Sequence, residues 1–153
     1  MRKSILVAIV LMLVIQTACV SKGDLEPDPR QVVLNMIRAM EKSDRTAVAH
    51  YLDLPSLLVP GERDYTLQMD SVRVFHDPNA ILDDLCKGGL TWERWMGMQR
   101  IVGDASQSGD TAFVEVSFIN KSTGTQYYNK WGLRKMNDRW KVFSFGVMDG
   151  ADK

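Results

Sequence analysis

Two cysteines and two histidines in 153 residues leave little material for metal or thiol chemistry. His50 and His76 stand 26 positions apart, and neither an HxxxH nor a CxxC spacing occurs, so no metal site and no cofactor is expected. A glycine-rich phosphate loop and a GxSxG nucleophile turn are also missing. Neither sign of charge is in excess, with 19 basic against 19 acidic side chains, which removes the basic field that holds phosphate backbones. Nucleic acid is therefore not an expected partner. Long hydrophobic runs are scarce too: eleven unbroken apolar residues, Ile5 to Ile15, form the longest. Even the interrupted stretch to Val20 reaches only sixteen, where a spanning helix needs about 20. The remaining composition, 45% apolar and 25% charged, suits a globular domain with one core.

That apolar run follows Arg2 and Lys3 and leads into Gln16-Thr17-Ala18-Cys19, the layout of an export signal. Ala18-Cys19 resembles the lipobox of bacterial lipoproteins, although Gln16 stands where leucine is usual. The resemblance implies that the Cys19 thiol receives a diacylglyceryl group, that residues 1–18 are removed, and that the new amino terminus is acylated. Two or more acyl chains exceed the single-chain threshold of marginal attachment, so the expected partner is a membrane, reached through lipid. A plainly secreted protein and an uncleaved anchor are the rival readings. Val20 after the cysteine, with no aspartate there, resembles the outer-membrane sorting pattern of enteric-type lipoproteins, which implies a periplasm-facing envelope protein. Residues 19–28 form the lipidated terminus and a polar linker of at most about 30 Å. Loss of the leader removes Arg2 and Lys3, leaving 17 basic against 19 acidic groups and no overall pull toward anionic lipid. With Cys19 consumed, Cys86 has no partner for an internal disulfide. It falls four residues after Leu82, on the same face of a helix, and reads as a small buried side chain, with a reactive thiol or an intermolecular bridge as alternatives.

Residues 29–150 are expected to form one domain. Asp28-Pro29 is a cap followed by a first-turn proline, and Val33, Met36, Ile37 and Met40 recur at helical spacing. Ser43-Asp44 caps a shorter helix with Ala47, Val48, Tyr51 and Leu52 on its apolar face, ending before Pro55. Residues 55–68 read as loop with room for one short element, and 70–75 alternate weakly. Asp77-Pro78 repeats the capping device ahead of Ile81, Leu82 and Leu85, and Gly88-Gly89 ends that helix. Thr91 to Met98 fits either a helix or the lead-in to a strand. Four strand-like segments follow, 100–105, 111–119, 125–135 and 139–147, separated by turn sequences and forming an antiparallel meander. In the second, Ala112, Val114, Val116 and Phe118 share a face; in the third, Tyr127, Asn129, Trp131 and Leu133 do.

Two helices with Met40 to Asp53 between and within them, then a meander carrying Trp131-Gly132-Leu133-Arg134-Lys135 and Asp138-Arg139-Trp140-Lys141-Val142, resemble the NTF2-like superfamily of ketosteroid-isomerase-like cones. The resemblance spans about residues 29 to 147 and implies an α+β fold, with N-terminal helices packed on a curved antiparallel sheet. It also implies a pocket between the helices and the concave face. His50, Tyr51, Trp95, Tyr127 and Trp131 are the candidate ligand-binding residues of that pocket. The superfamily uses such pockets for isomerisation, dehydration, small-molecule binding and subunit contact, so the fold alone does not select among them.

His50, beside Tyr51, could serve proton transfer if it faced the cone, and is otherwise a partly exposed helix residue. His76 beside Asp77 is better explained by the capping role of Asp77. Asn120-Lys121-Ser122 matches a glycosylation sequon at an expected hairpin turn. Trp92, Trp95, Met96 and Met98 crowd seven positions with adaptable side chains that suit a core, a pocket lining or a membrane-dipping patch. The reading with most support is an envelope lipoprotein whose domain binds a small apolar ligand or a protein partner without catalysis. An isomerase- or hydratase-like enzyme and a structural subunit of an envelope complex are the alternatives, and the oligomeric state is open.

Overall fold

A computed structural model describes residues 27–58 and 75–147. The expected export signal, Cys19, most of the expected linker and the weakly alternating 70–75 stretch up to residue 74 lie outside the described residues.

The order of elements is α1 (Pro29–Glu41), α2 (Arg45–Tyr51), α3 (Leu54–Leu57), α4 (Pro78–Asp84), α5 (Leu90–Met96), β1 (Gln99–Ser108), β2 (Thr111–Ile119), β3 (Gln126–Met136) and β4 (Arg139–Val147). Each expected cap is made. The Asp28 carboxylate accepts from Gln31 N at 2.8 Å, Asp44 from Ala47 N at 3.0 Å, and Asp77 from Asn79 N at 2.7 Å. These satisfy orphan amides of the first turns, each worth about 1 kcal/mol. Val33, Met36, Ile37 and Met40 are all buried, so the apolar stripe of α1 is its packing face.

Thr91 to Met98 resolves as helix α5, closed at Gly97. Its N-terminus is capped from outside the helix: Asp84, at the end of α4, accepts from Thr91 N at 3.4 Å and Thr91 Oγ1 at 2.5 Å. At the other end the Arg100 guanidinium donates to the carbonyls of Trp95, Met96 and Met98 at 2.9, 3.2 and 3.1 Å, a cation placed on the negative pole of the helix. The stretch from Pro55, read as loop with room for one short element, opens on the single turn α3 at residues 54–57.

The four strands make one antiparallel sheet in the order β1-β2-β3-β4. Thr111 pairs with Ser108 across a two-residue turn where Gly109 has φ +57°. Met136 pairs with Arg139 across Asn137-Asp138, both at positive φ, the hairpin turn whose twist matches that of its strands. β1 runs on to Ser108, past the expected end at Ala105. Both edge strands carry a bulge, at Gly103-Asp104 opposite Glu115 and at Phe143 beside Gly132-Leu133. Bulges on both edges bend a sheet, and the helices pack in the resulting hollow. Beside the second bulge Gly132 is needed for close approach, since a Cβ there would lie 2.8 Å from Ser144 Oγ and 2.9 Å from Phe143 Cζ.

The helical layer is fastened to β4 around Leu52 and Asp53. Leu52 bridges Val142 in parallel fashion, and Asp53 N donates to the Val142 carbonyl at 2.8 Å. The Asp53 carboxylate beside it accepts from Ser56 Oγ at 2.9 Å and from Arg134 of β3, to which it is ion-paired. The observed architecture is thus α+β, helices on a curved antiparallel meander.

Candidate functional site

Strand alternation sends one row of β2 and one of β3 into the hollow. Ala112, Val114, Val116 and Phe118 face inward from β2, opposite Leu133, Trp131, Asn129 and Tyr127 of β3. Phe145 of β4 stands beside Trp131. From the helical side α5 presents Trp95, whose ring stacks on Phe118 at 4.9 Å and lies 5.4 Å from Trp131 and 5.6 Å from Phe145. Trp131 meets Phe145 edge-on at 4.8 Å. Such pairs add about 0.5–1.5 kcal/mol each beyond the area they bury.

Three polar atoms of this aromatic wall lack partners. Trp95 Nε1, Trp131 Nε1 and Asn129 Oδ1 are buried without a hydrogen-bond partner, on residues that are 1%, 0% and 1% exposed. Asn129 is held in place by its amide, which donates to the Phe145 carbonyl at 3.2 Å. It sits two residues from Trp131 on the same face of β3, about 7 Å away along the strand. Two donors and one acceptor are therefore buried unpaired on residues of the same core. A buried group left unpaired costs about 1–3 kcal/mol, so three approach the net stability of a small domain, about 5–15 kcal/mol. A fourth such atom, Arg134 Nε, belongs to a guanidinium whose terminal nitrogen is already paired with Asp53.

The five residues expected to line the pocket fall into two groups. Trp95 and Trp131 are in the wall, and Tyr127 is partly buried against the same core. Tyr51 is likewise partly buried against that core, whereas no described contact brings His50 to it. His50 is exposed on α2, edge-on to the Tyr51 ring at 5.4 Å. Tyr51 also lines an open depression of about 340 Å³ with Asn35, Arg38 and Lys42. Burial, with Lys141 and Arg139 nearby, lowers the His50 pKa from its ordinary 6.5. Lys141 donates to the His50 carbonyl, and its own pKa is lowered by burial and by Arg139.

The buried carboxylates have structural roles. Asp53 and Asp84 are the buried carboxylates among the described residues, the first serving Arg134 and Ser56, the second capping α5. Cys86 is a free, buried thiol whose pKa burial pushes up, which opposes thiolate formation. The Asn120 side chain accepts from Ser122 N and Oγ, closing its own turn. Among the described residues no group of three or more potential ligands could hold a metal ion, and no helix is long and apolar enough to cross a membrane. Asn129 was the site residue that sequence reasoning passed over. Its signal was a lone amide in the inward row Tyr127, Asn129, Trp131, Leu133.

No family model and no curated protein sequence matches the chain. Solved structures do. An NTF2 variant carrying five substitutions superposes with a TM-score of 0.53 at 10% identity, over 78% of this chain and 95% of that one. An NTF2-like protein of unknown function from Shewanella oneidensis MR-1 gives 0.48 at 13% identity, over 78% and 94%. A protein provisionally described as a dehydratase of the NTF2-like family, from Streptomyces avermitilis, gives 0.49 at 17% identity, over 76% and 90%. The fold is NTF2-like: a curved antiparallel meander with helices on its concave face.

Proposed function

We propose that this protein is a bacterial envelope lipoprotein, anchored through Cys19, whose NTF2-like domain binds a small, neutral, largely apolar molecule without transforming it. One observation carries the ligand: the two indole N–H donors and the Asn129 oxygen buried unpaired along an aromatic wall. Their complement is a molecule with an apolar, preferably flat body and one group that both donates and accepts, such as a hydroxyl or a primary carboxamide. Neutrality follows from the surroundings, because the buried carboxylates described are spent on Arg134 and on the α5 cap and a buried ligand charge would be uncompensated. The exposed position of His50 and those same commitments favour binding over proton transfer. The anchor rests on the Ala18-Cys19 sequence and the apolar run before it.

Native mass spectrometry of the protein extracted in detergent from its own host tests both halves. Acyl mass on a chain beginning at Cys19, lost in Cys19→Ser, is expected, together with a second non-covalent mass of a small molecule. Asn129→Leu and Trp131→Phe should lose the second mass and keep the first. Wild-type protein that carries no small molecule, while Asn129→Leu proves more stable than wild type, would show that the unpaired atoms are merely a cost and end the ligand reading. An intact leader on the native protein would end the anchor reading.

A further inference from the structure

A second concave surface lies between α1 and the edge strand β1. It is an open groove of about 580 Å³. Its floor is apolar, from Leu34 and Ile37 of α1 and Met98 and Val102 at the start of the sheet. Its rim collects four cations, Arg30, Arg38, Arg100 and Lys121, against one carboxylate, Glu41. That single carboxylate is neutralised by Arg100. In a chain with equal numbers of basic and acidic side chains, this is a local concentration of positive charge over a greasy floor.

The cations are held at the two ends. Arg30, in the first turn of α1, is pinned by donating to the Gly103 and Val102 carbonyls at 3.1 and 3.3 Å, and its nearest carboxylate, Asp104 at 3.8 Å, is fully exposed and so screened. Near the far end, Arg38 is oriented by Asn35 at 3.1 Å, itself held by Gln31 at 2.8 Å. Lys121 stands on the β2–β3 turn that Asn120 closes, with Gly124 at φ +71°. No carboxylate pairs with Arg38 or Lys121 among the described residues. Arg30 and Glu41 are eleven residues apart, so the groove follows about 16 Å of helix. An extended chain of about five residues has that length.

From this we infer that the groove docks an extended segment of a protein partner, about five residues long, with acidic side chains at both ends and apolar ones between. Charge complementarity selects acidic ends; the Leu34, Ile37, Met98 and Val102 floor selects the apolar middle. Because Arg30 already occupies the Val102 and Gly103 carbonyls, the segment lies on the floor through its side chains rather than extending the sheet from β1 at that point. The inference is independent of the ligand and of the anchor, since none of its residues belongs to the wall and it requires no lipid.

The test uses the Cys19→Ser protein without residues 1–18 and a fluorescein-labelled peptide, Glu-Leu-Val-Leu-Glu, read by fluorescence polarisation at low and high salt. Saturable binding that weakens with salt is expected. The counterpart Lys-Leu-Val-Leu-Lys should not bind. Reversing both unpaired cations, Arg38→Glu with Lys121→Glu, should weaken binding about tenfold while leaving the unfolding midpoint close to wild type, because both side chains are exposed. Leu34→Asp is a second probe, of the floor. Equal binding of the two peptides, or an unchanged affinity in the double reversal, overturns the inference. So does association with phosphatidylglycerol vesicles in place of the peptide, which would assign the groove to headgroups.

Discussion

Replacing Arg134 with methionine would leave the Asp53 carboxylate, whose side chain is 2% exposed, with the Ser56 hydroxyl at 2.9 Å as its remaining side-chain partner. Removing one member of a buried ion pair costs about 3–5 kcal/mol, because the other charge stays behind uncompensated. Here the guanidinium side is 43% exposed, so water already screens part of the attraction. The expected loss is therefore at the lower end, about 3 kcal/mol, which for a domain of this size lowers Tm by roughly 10 °C. Asp53→Asn should cost less, since it removes the buried charge and keeps an oxygen for Ser56. The double variant, Asp53→Asn with Arg134→Met, should be more stable than the sum of the two single losses allows, with a coupling of about 1–2 kcal/mol. Urea unfolding followed by tryptophan fluorescence is a suitable assay, because Trp95 and Trp131 sit in the wall that this fastening closes. Arg134→Lys controls for lost side-chain packing over Phe143. An Arg134→Met loss below about 1 kcal/mol, with no coupling, would refute the claim that this pair ties the helical layer to the sheet.

Two further outcomes follow from the geometry. The His50 pKa is lowered on folding, so on acidification the unfolded chain takes up its proton first; stability is retained above about pH 6.5 and declines as pH falls through the window down to the folded pKa. His50→Gln should flatten that part of a urea-midpoint profile between about pH 7.5 and 5.5, and a wild-type midpoint that rises on acidification where the variant's does not would contradict the sign. Gly132→Ala places a methyl against Ser144 Oγ and the Phe143 ring beside the β4 bulge; thermal unfolding should show a loss of about 1–3 kcal/mol, and an unchanged midpoint would mean that the bulge yields freely.

Local signals in the chain determined three of the helix starts and the meander. Asp28-Pro29, Ser43-Asp44 and Asp77-Pro78 each cap the helix that follows, because a carboxylate reaches amides only two or three residues on. The inward rows of β2 and β3 were legible for a similar reason, as alternation fixes the face of every residue once one row is buried. The helical state of residues 90–96 was not legible, since its cap comes from Asp84 across a turn and its last carbonyls are closed by Arg100 from the next strand. Nor could the order of residues say that α5 would bring Trp95 against Phe118, Trp131 and Phe145. The cationic groove is the clearest case, for Arg30 and Lys121 are 91 positions apart and meet at one surface only because β1 folds back along α1. Sequence specifies what each residue does within a turn of helix or a pleat of strand; which distant side chains become neighbours depends on how the bent sheet closes over its helices.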